Sequence, residues 1–308
     1  MPHGTPPLQI RRHADGAFPG AVSVIMDQPG KSVFVLDLEL MQRLEVTLQL
    51  VPRDATGLIL ESCAEKAYIA GADLKSIRSL PDDQLERYLA YGTRVFAMLH
   101  QFPFPTVAAI NGAALGGGLE LAMHCDALVS SPPPVKDGKP GKPYPLGLPE
   151  AGLSICPGWG GASLLPARMD PVEAIRRTAT GATISFDEAI AYGLFADVAD
   201  NRDELDDQCL DWLARNPDVG RKRDGEPLRW TGRPETRASV LSALDQVRSE
   251  LPDTPSARAV VAAIDAGLSG GWQAATASEQ QSLVKLRHTP EAIKAIDDFF
   301  AKSGGGKA

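Results

Sequence analysis

Short apolar runs alternate with amphipathic stretches over the first two thirds of the chain. Ala21 to Met26 (AVSVIM) is a β-branched run closed by the turn signal Asp27-Gln28-Pro29-Gly30. Leu38 to Leu50 has helical spacing through Leu40, Leu44, Leu48 and Val51, and Gly57 to Glu61 (GLILE) is a second apolar strand. Ser79 to His100 predicts an amphipathic helix with Leu85, Leu89, Phe96 and Leu99 on its apolar face. Thr106 to Ile110 predicts a buried strand, followed by a turn of small residues, a helix that starts at three glycines, and a short strand at Ala127 to Val129. The alternation of strand and helix predicts an α/β architecture.

Residues 1–20 read as an irregular lead-in. Residues 130–145 (SSPPPVKDGKPGKPYP) mix lysine and aspartate with proline and glycine, which predicts a long exposed loop. Asp170 caps a helix with Pro171 at its first position, and Ser185-Phe-Asp-Glu188 has capping-box form before a helix that stops near Gly193. From Glu204 onward no strand signal appears. One helical stripe runs through Leu241, Leu244, Val247 and Leu251, another through Val260, Val261, Ile264 and Leu268, and Thr289-Pro290 opens a last helix bearing Ile293, Ile296 and Phe300. GGGKA reads as a disordered tail. The expected organisation is a core over 1–201 and a helical C-terminal region over 202–308.

The chain has 308 residues, 44% hydrophobic and 23% charged, enough to bury a substantial core. Its net charge of −8 argues against nucleic acid or an anionic membrane as the main partner, while leaving room for a local basic patch. Four scattered cysteines (Cys63, Cys125, Cys156, Cys209) form no Cys-x-x-Cys pair, so free buried thiols are expected rather than a metal site or a disulfide. The N-terminus lacks the apolar region of a signal peptide and no apolar run is long enough to span a membrane, so a cytoplasmic location is the expectation.

Candidate chemistry concentrates in PTVAAINGAALGGGLELAMHCD, residues 105–126. Glycines let another molecule approach the backbone closely. A helix N-terminus offers unpaired N–H groups and the positive end of a dipole. With Glu120 in the first turn, the stretch suits negative charge developing on oxygen beside a carboxylate. Glu120 alone would read as dipole complementarity, and Glu150, after a proline, as a turn residue. His124, four residues after Glu120, reads as a packed histidine, and no metal partners lie near His124-Cys125. There is no G-x-S-x-G elbow and no Walker loop, and GWGGAS lacks the preceding strand of a dinucleotide site.

Three stretches in one order change the weight of these residues: IAGADLK at 69–75, NGAALGGGLELAMHCD at 111–126 and GLPEAGLSICPGWGG at 147–161. Together they resemble the crotonase (enoyl-CoA hydratase/isomerase) superfamily, and GATISFDEAIAYGLFADV extends the likeness over most of residues 20–200. KSVFVLD at 31–37, GLPE, PGWGG and the segments SARAVVAAIDAG and HTPEAIKAIDDFF resemble more narrowly the hydratase/isomerase domain of the multifunctional fatty-acid oxidation α-subunit. The resemblance implies a crotonase-type ββα spiral with an α-helical C-terminal region.

It also implies roles. Backbone N–H groups of Ala72 and Gly117 would hold the thioester oxygen of an acyl-CoA, Glu120 would position and activate water, and Glu150 would donate a proton to Cα. Ala70, Asp73, Leu74, Lys75, Gly116, Pro149 and Gly158 would line the substrate and CoA site, although Asp73 by itself reads as a cap and Lys75 as a solvated lysine. Trp159 reads as a packing residue. The implied reaction is hydration of trans-2-enoyl-CoA to 3-hydroxyacyl-CoA, as in fatty-acid β-oxidation, with no cofactor beyond the coenzyme A of the substrate and no metal. Δ3,Δ2-enoyl-CoA isomerase is the alternative chemistry, and a non-catalytic acyl-CoA-binding or assembly subunit is the alternative of another class. A homotrimer or dimer of trimers is expected, with a thiolase or a separate dehydrogenase as a candidate partner. Two departures stand out: the 130–145 loop is longer than its family counterpart, and Phe34 replaces a commonly polar residue, which bears on substrate shape.

Overall fold

The computed structural model describes residues 5–31, 33–135, 138–139 and 141–304. In chain order, β1 (Gln9–Arg12) and β2 (Val22–Met26) precede α1 (Leu38–Leu50), then β3 (Leu58–Ser62), β4 (Ala67–Ile69), α2 (Leu74–Ser79) and α3 (Asp82–Ala97). β5 (Thr106–Ile110) and β6 (Ala113–Leu115) lead into α4 (Gly117–Met123), followed by β7 (Ala127–Ser130), β8 (Pro145–Gly147), α5 (Gly161–Leu164) and α6 (Pro171–Thr180). β9 (Ile184–Ser185), α7 (Phe186–Ala191), β10 (Asp197–Val198) and α8 (Leu205–Arg215) come next. The chain then runs through α9 (Pro234–Val247), α10 (Pro255–Gly270), α11 (Trp272–Leu286) and α12 (Pro290–Gly304). The fold is mixed α/β with a helical C-terminal region, as expected. Of the expected tail, Gly304 closes α12 and the last four residues lie outside the described residues, as do Met1 to Gly4 of the lead-in and Lys136, Asp137 and Pro140 of the loop.

Two compact units are interleaved along the chain. The first comprises Met1–Ala72, Tyr91–Leu146 and Ile184–Arg229, and the second Asp73–Ala90, Gly147–Thr183 and Trp230–Ala308. The first unit carries a six-stranded sheet in the order β1-β2-β3-β5-β7-β10. From β2 to β10 every pairing is parallel, whereas β1 joins β2 antiparallel with Gln9 opposite Ile25 and Arg12 opposite Val22. Both faces of a parallel sheet are covered, which explains why AVSVIM, GLILE and TVAAI read as near-continuous apolar runs. One face packs Ile59, Val107, Ala109 and Val129 against Leu205, Leu210 and Leu213 of α8. Asp37 caps α1 by accepting from the Leu40 N–H at 2.8 Å, and Ser185 and Glu188 form both bonds of the capping box.

Two expectations are corrected here. The lead-in contains β1, whose residues QIRR are polar because an edge strand beside water needs no apolar alternation. The turn of small residues after Ile110 contains β6, which pairs in parallel with β4 in a smaller sheet of order β4-β6-β8-β9.

In the second unit, Asp170 accepts from the Glu173 N–H at 3.0 Å with Pro171 at the first position of α6, as the sequence predicts. On α9 the stripe is rotated by one residue: Val240, Ala243, Leu244 and Val247 are buried, while Leu241 is exposed. On α10, Val260, Ile264 and Leu268 are buried. Among the described residues no helix is long and apolar enough to cross a membrane.

A polar cluster on the first unit's sheet gives a test of its energetics. Arg11 on β1 pairs with Glu61 of β3 at 2.7 Å and with Asp206 of α8 at 2.5 Å. Burial, with Asp206 close by, nevertheless holds the Glu61 carboxyl above its ordinary range despite Arg11 and a Ser23 hydrogen bond. The folded state therefore binds this proton more tightly than the unfolded state. Stability from Glu61 is full below the ordinary glutamate range and falls as pH rises through the elevated value. Glu61→Gln is expected to melt at or above the wild-type temperature at pH 7, with the gap closing below about pH 4. Thermal melts across pH check this, and a loss of more than about 1 kcal/mol at pH 7 would mean that the ion pair outweighs its desolvation.

Candidate active site

In the first unit, β4 and β6 run in parallel with Ala67 opposite Ala113 and Ile69 opposite Ala114, the register shifting between the two pairs. Asn111 fixes the approach to β6, donating from Nδ2 to the carbonyls of Ser62 (2.8 Å) and Ala64 (3.0 Å). Past β4, the Ala70 N–H donates to Phe34 O at 2.8 Å and the Leu36 N–H to Gly71 O at 2.9 Å, making a parallel bridge between Leu36 and Ala72. In that bridge the partner is served by the groups flanking Ala72, so the N–H of Ala72 itself points away from it. Phe34 is buried and fixes Ala70 through its backbone.

β6 ends at α4. Gly116 is its N-cap, at φ +49° and ψ −130°, a conformation reserved for glycine. A glycine cap has no side chain to satisfy the first-turn N–H groups, and the Glu120 N–H is the first to find an intrahelical carbonyl, that of Gly116 at 2.9 Å. Gly117 and Gly118 therefore present orphan donors at the positive end of α4. A Cβ on Gly118 would drive into the carbonyl oxygen and side chain of Ile69, so the first turn of α4 lies directly against β4. Glu120 is 1% exposed. His124, one turn on, is packed as expected: Nδ1 lies 3.0 Å from His100 Nε2 and the rings stack. Asp126, the last residue of the motif, has a structural role: it accepts from the Thr106 N–H at 2.7 Å and pairs with the buried Arg223 at 3.5 Å.

Glu150 belongs to the second unit, half-buried in a 3-10 turn over Pro149–Leu153 with Pro149 at its first position. Ser154 closes the turn at φ +58°, the non-glycine residue with positive φ among the described residues, and Ile155 N–H donates to Glu150 O at 3.1 Å. Asp73 is the N-cap of α2, accepting from the Lys75 N–H at 3.1 Å and from Ser76 Oγ at 2.6 Å, which is the cap role its residue type suggested. Leu74 is half-buried and Lys75 exposed. Gly158 is buried beside Leu89 and Leu283. Trp159 is packed, donating from Nε1 to Leu89 O at 3.0 Å. Of the predicted residues, Ala70, Ala72, Gly116, Gly117 and Glu120 thus come together in the first unit, while Asp73, Leu74, Lys75, Pro149, Glu150 and Gly158 are in the second.

Sequence reasoning did not place the lysines that line two clefts. A cleft of about 470 Å³ in the first unit is lined by Lys31, Phe34, Cys63, Glu65 and Lys66, along the flank of β4. A second, of about 660 Å³, shares Glu65 and Lys66 and is walled by Pro133, Lys139, Lys142 and Tyr144 of the long loop. The only sequence signal for Lys66 is its place just before β4, nine residues ahead of Lys75. Cys125, Cys156 and Cys209 are buried free thiols and Cys63 is exposed. Among the described residues no group of three or more His, Cys, Asp or Glu side chains could hold a metal ion.

A sequence model described as enoyl-CoA hydratase/isomerase matches residues 19–220. Among solved structures, an enoyl-CoA hydratase from Bacillus anthracis is 26% identical, with 94% of this chain and 95% of that one covered and a TM-score of 0.55. Human mitochondrial Δ3-Δ2-enoyl-CoA isomerase is 20% identical over 97% and 99% of the two chains, with a TM-score of 0.66. An enoyl-CoA hydratase from Bacillus halodurans is 18% identical over 91% and 96%, with a TM-score of 0.62. The last two likenesses are of fold alone.

The closeness of α4 to β4 can be measured directly. Gly118→Ala places a methyl against backbone that cannot turn aside. It is expected to cost about 1–3 kcal/mol, read as a melting temperature several degrees lower. An unchanged melting temperature would mean that the two backbones are not in contact.

Proposed function

Because this chain belongs to the enoyl-CoA hydratase/isomerase family, we propose that it hydrates trans-2-enoyl-CoA to 3-hydroxyacyl-CoA, in reactions of the fatty-acid β-oxidation type. The observation that carries this reading is the start of α4, where orphan N–H groups of a glycine-capped helix accompany a buried carboxylate in the unit that also holds Ala72. Water adds to Cβ of the enoyl thioester, and the electron pair of the double bond moves toward the thioester oxygen. The N–H groups of Ala72 and Gly117 hold that oxygen, and fixed donors of this kind are worth about 10²–10³-fold each. Glu120 takes the proton from the attacking water and Glu150, protonated at the start, delivers one to Cα; loss of the proton from Glu120 and its return to Glu150 restore the pair for the next turnover.

The coenzyme A end has support in the first unit. A thioester carbonyl held at Ala72 and an arm lying along β4 would reach toward Lys66 over at most about 20 Å, at roughly 3.3 Å per residue. Lys66, Lys139 and Lys142 of the second cleft, set among its described residues against Glu65 alone, offer the local positive charge that phosphates need on a chain of net charge −8, whereas Lys31 is paired with Asp37 at 2.6 Å. In this reading the loop is part of the nucleotide end of the site, and Phe34 gives that flank an apolar wall. We further propose a cytoplasmic homotrimer or dimer of trimers, with a thiolase or a dehydrogenase as the partner to look for.

Loss of enoyl-thioester absorbance on trans-2-enoyl-CoAs of increasing length is the test. Wild type is expected to be active, and Glu120→Gln and Glu150→Gln each to lose about 10²–10⁴-fold. Conversion of 3-enoyl-CoA through Glu150 alone, with no hydration, would replace the proposal by isomerisation. Binding without turnover would leave an acyl-CoA-binding subunit. In the same assay, Lys139→Ala with Lys142→Ala is expected to raise KM for CoA thioesters about 2–10-fold, leaving kcat and the KM for pantetheine thioesters unchanged. An equal rise with both substrate types would remove the loop from the phosphate end.

A further inference from the structure

Glu279 lies on α11 in the second unit and is fully buried. A carboxylate removed from water survives there only if its oxygens are well bonded. Oε2 accepts from the Gly160 N–H at 2.5 Å and Oε1 from the Ala162 N–H at 2.7 Å, two charge-assisted bonds at the start of α5. Three neighbouring contacts tie the same helix to the same turn. Gln280 Nε2 donates to Gly158 O at 3.2 Å, Cys156 Sγ donates to Glu279 O at 3.4 Å, and the Trp272 ring fills the space a Cβ on Gly160 would need. Gly160 holds φ +96°, so the turn has one backbone shape and one template against which to adopt it.

The turn follows Glu150 closely. Ile155 N–H bonds Glu150 O, and Cys156 is the next residue, so α11 is joined to the Glu150 turn through two residues of backbone. We infer that Glu279 is a positioning residue that sets the place of Glu150 by pinning the Cys156–Ala162 turn to α11. The inference rests on the hydratase reading, in which Glu150 delivers a proton and thioester recognition is the work of Ala72 and Gly117 in the other unit. It therefore separates turnover from binding. A Gln at 279 is isosteric and its carbonyl oxygen keeps one of these bonds, but its NH₂ faces the other N–H, so that bond becomes a clash of donors.

The experiment compares wild type, Glu279→Gln, Glu279→Asp and Gln280→Ala. It reads kcat and KM on trans-2-enoyl-CoA, Kd for a saturated acyl-CoA, and folding by near-UV circular dichroism. Glu279→Gln is expected to lower kcat about 10–100-fold, because small displacements of a reacting group cost on that scale, with KM and Kd within about threefold. Glu279→Asp, which keeps the charge, is expected to recover part of the loss, and Gln280→Ala to lower kcat by threefold or more. A folded Glu279→Gln with kcat within twofold of wild type, or with turnover and binding falling together, overturns the inference. If Glu279→Gln does not fold, wild-type kcat in Gln280→Ala overturns it. An inert wild type is a distinct result, which removes the hydratase reading and the inference with it.

Discussion

The contact between the first turn of α4 and the strand β4 is the constraint on which the first unit's candidate chemistry depends. It is a backbone-to-backbone approach, possible only because Gly118 leaves its side free for the Ile69 carbonyl. α4 has seven residues, all buried, and a helix that short has no stability of its own in water. Its position is imposed by the strand it packs on. The β4–β6 pairing carries that imposition forward, because the two strands run on toward the residues proposed to hold the thioester oxygen, Ala72 just past β4 and Gly117 just past β6. Asn111 anchors the other end by donating to two carbonyls near β3, so the small sheet is fixed at its start and spent at its finish.

Buried charge is used in both units for the same purpose, to hold irregular backbone where no sheet or helix ladder can. In the first unit Arg223 donates to the carbonyls of Leu99, Phe102 and Phe104 and pairs with Asp126, which in turn accepts from Thr106. Burial lowers the affinity of this guanidinium for its proton while Asp126 raises it. In the second unit Glu279 holds two N–H groups at the start of α5. One group gathers carbonyls and the other gathers amides. Each is costly if a partner is removed, since the remainder is an uncompensated ion. Such groups specify a backbone shape more than they add to stability, and turns next to reacting groups are where shape counts.

Range decides how much of this fold and site is legible in the sequence. β2, β3, β5 and β7 are apolar runs because they lie inside a covered parallel sheet, and a run of that kind announces itself. β6, β9 and β10 have two or three residues, too few for any period to register, and β1 is a polar edge. The Asp73 and Asp170 caps and the capping box at Ser185 are legible because their bonds close within a few residues, and the glycine triplet because it opens a helix directly after an apolar run. Asn111, Arg223 and Glu279 are not. Their partners lie about fifty to a hundred and twenty residues away, and Glu279 sits in SEQQS, a string that reads as a solvated helix face. The rotation of the α9 stripe from Leu241 to Val240 is a smaller failure of the same kind, since two adjacent apolar residues leave the buried face to be chosen by the neighbours.

The two carboxylates have different local supports, and the difference suits the roles proposed for them. Glu120 is set in an α-helix whose every residue is buried, on a backbone held by Gly116 O and by the pressure of β4. A group that must hold a water molecule for attack gains from a fixed backbone, because any displacement of the carboxylate displaces the water with it. Glu150 is half-buried in a 3-10 turn, a form with poorer hydrogen-bond geometry, closed by Ser154 in the left-handed region. A non-glycine residue there costs of order 1–3 kcal/mol. The turn keeps that shape because the backbone beyond Ser154 is clamped: Cys156, Gly158, Gly160 and Ala162 all bond to α11. A proton donor on a short, strained turn is placed by its surroundings rather than by its own element, so the precision of Glu150 is a property of α11 as much as of the turn that carries it.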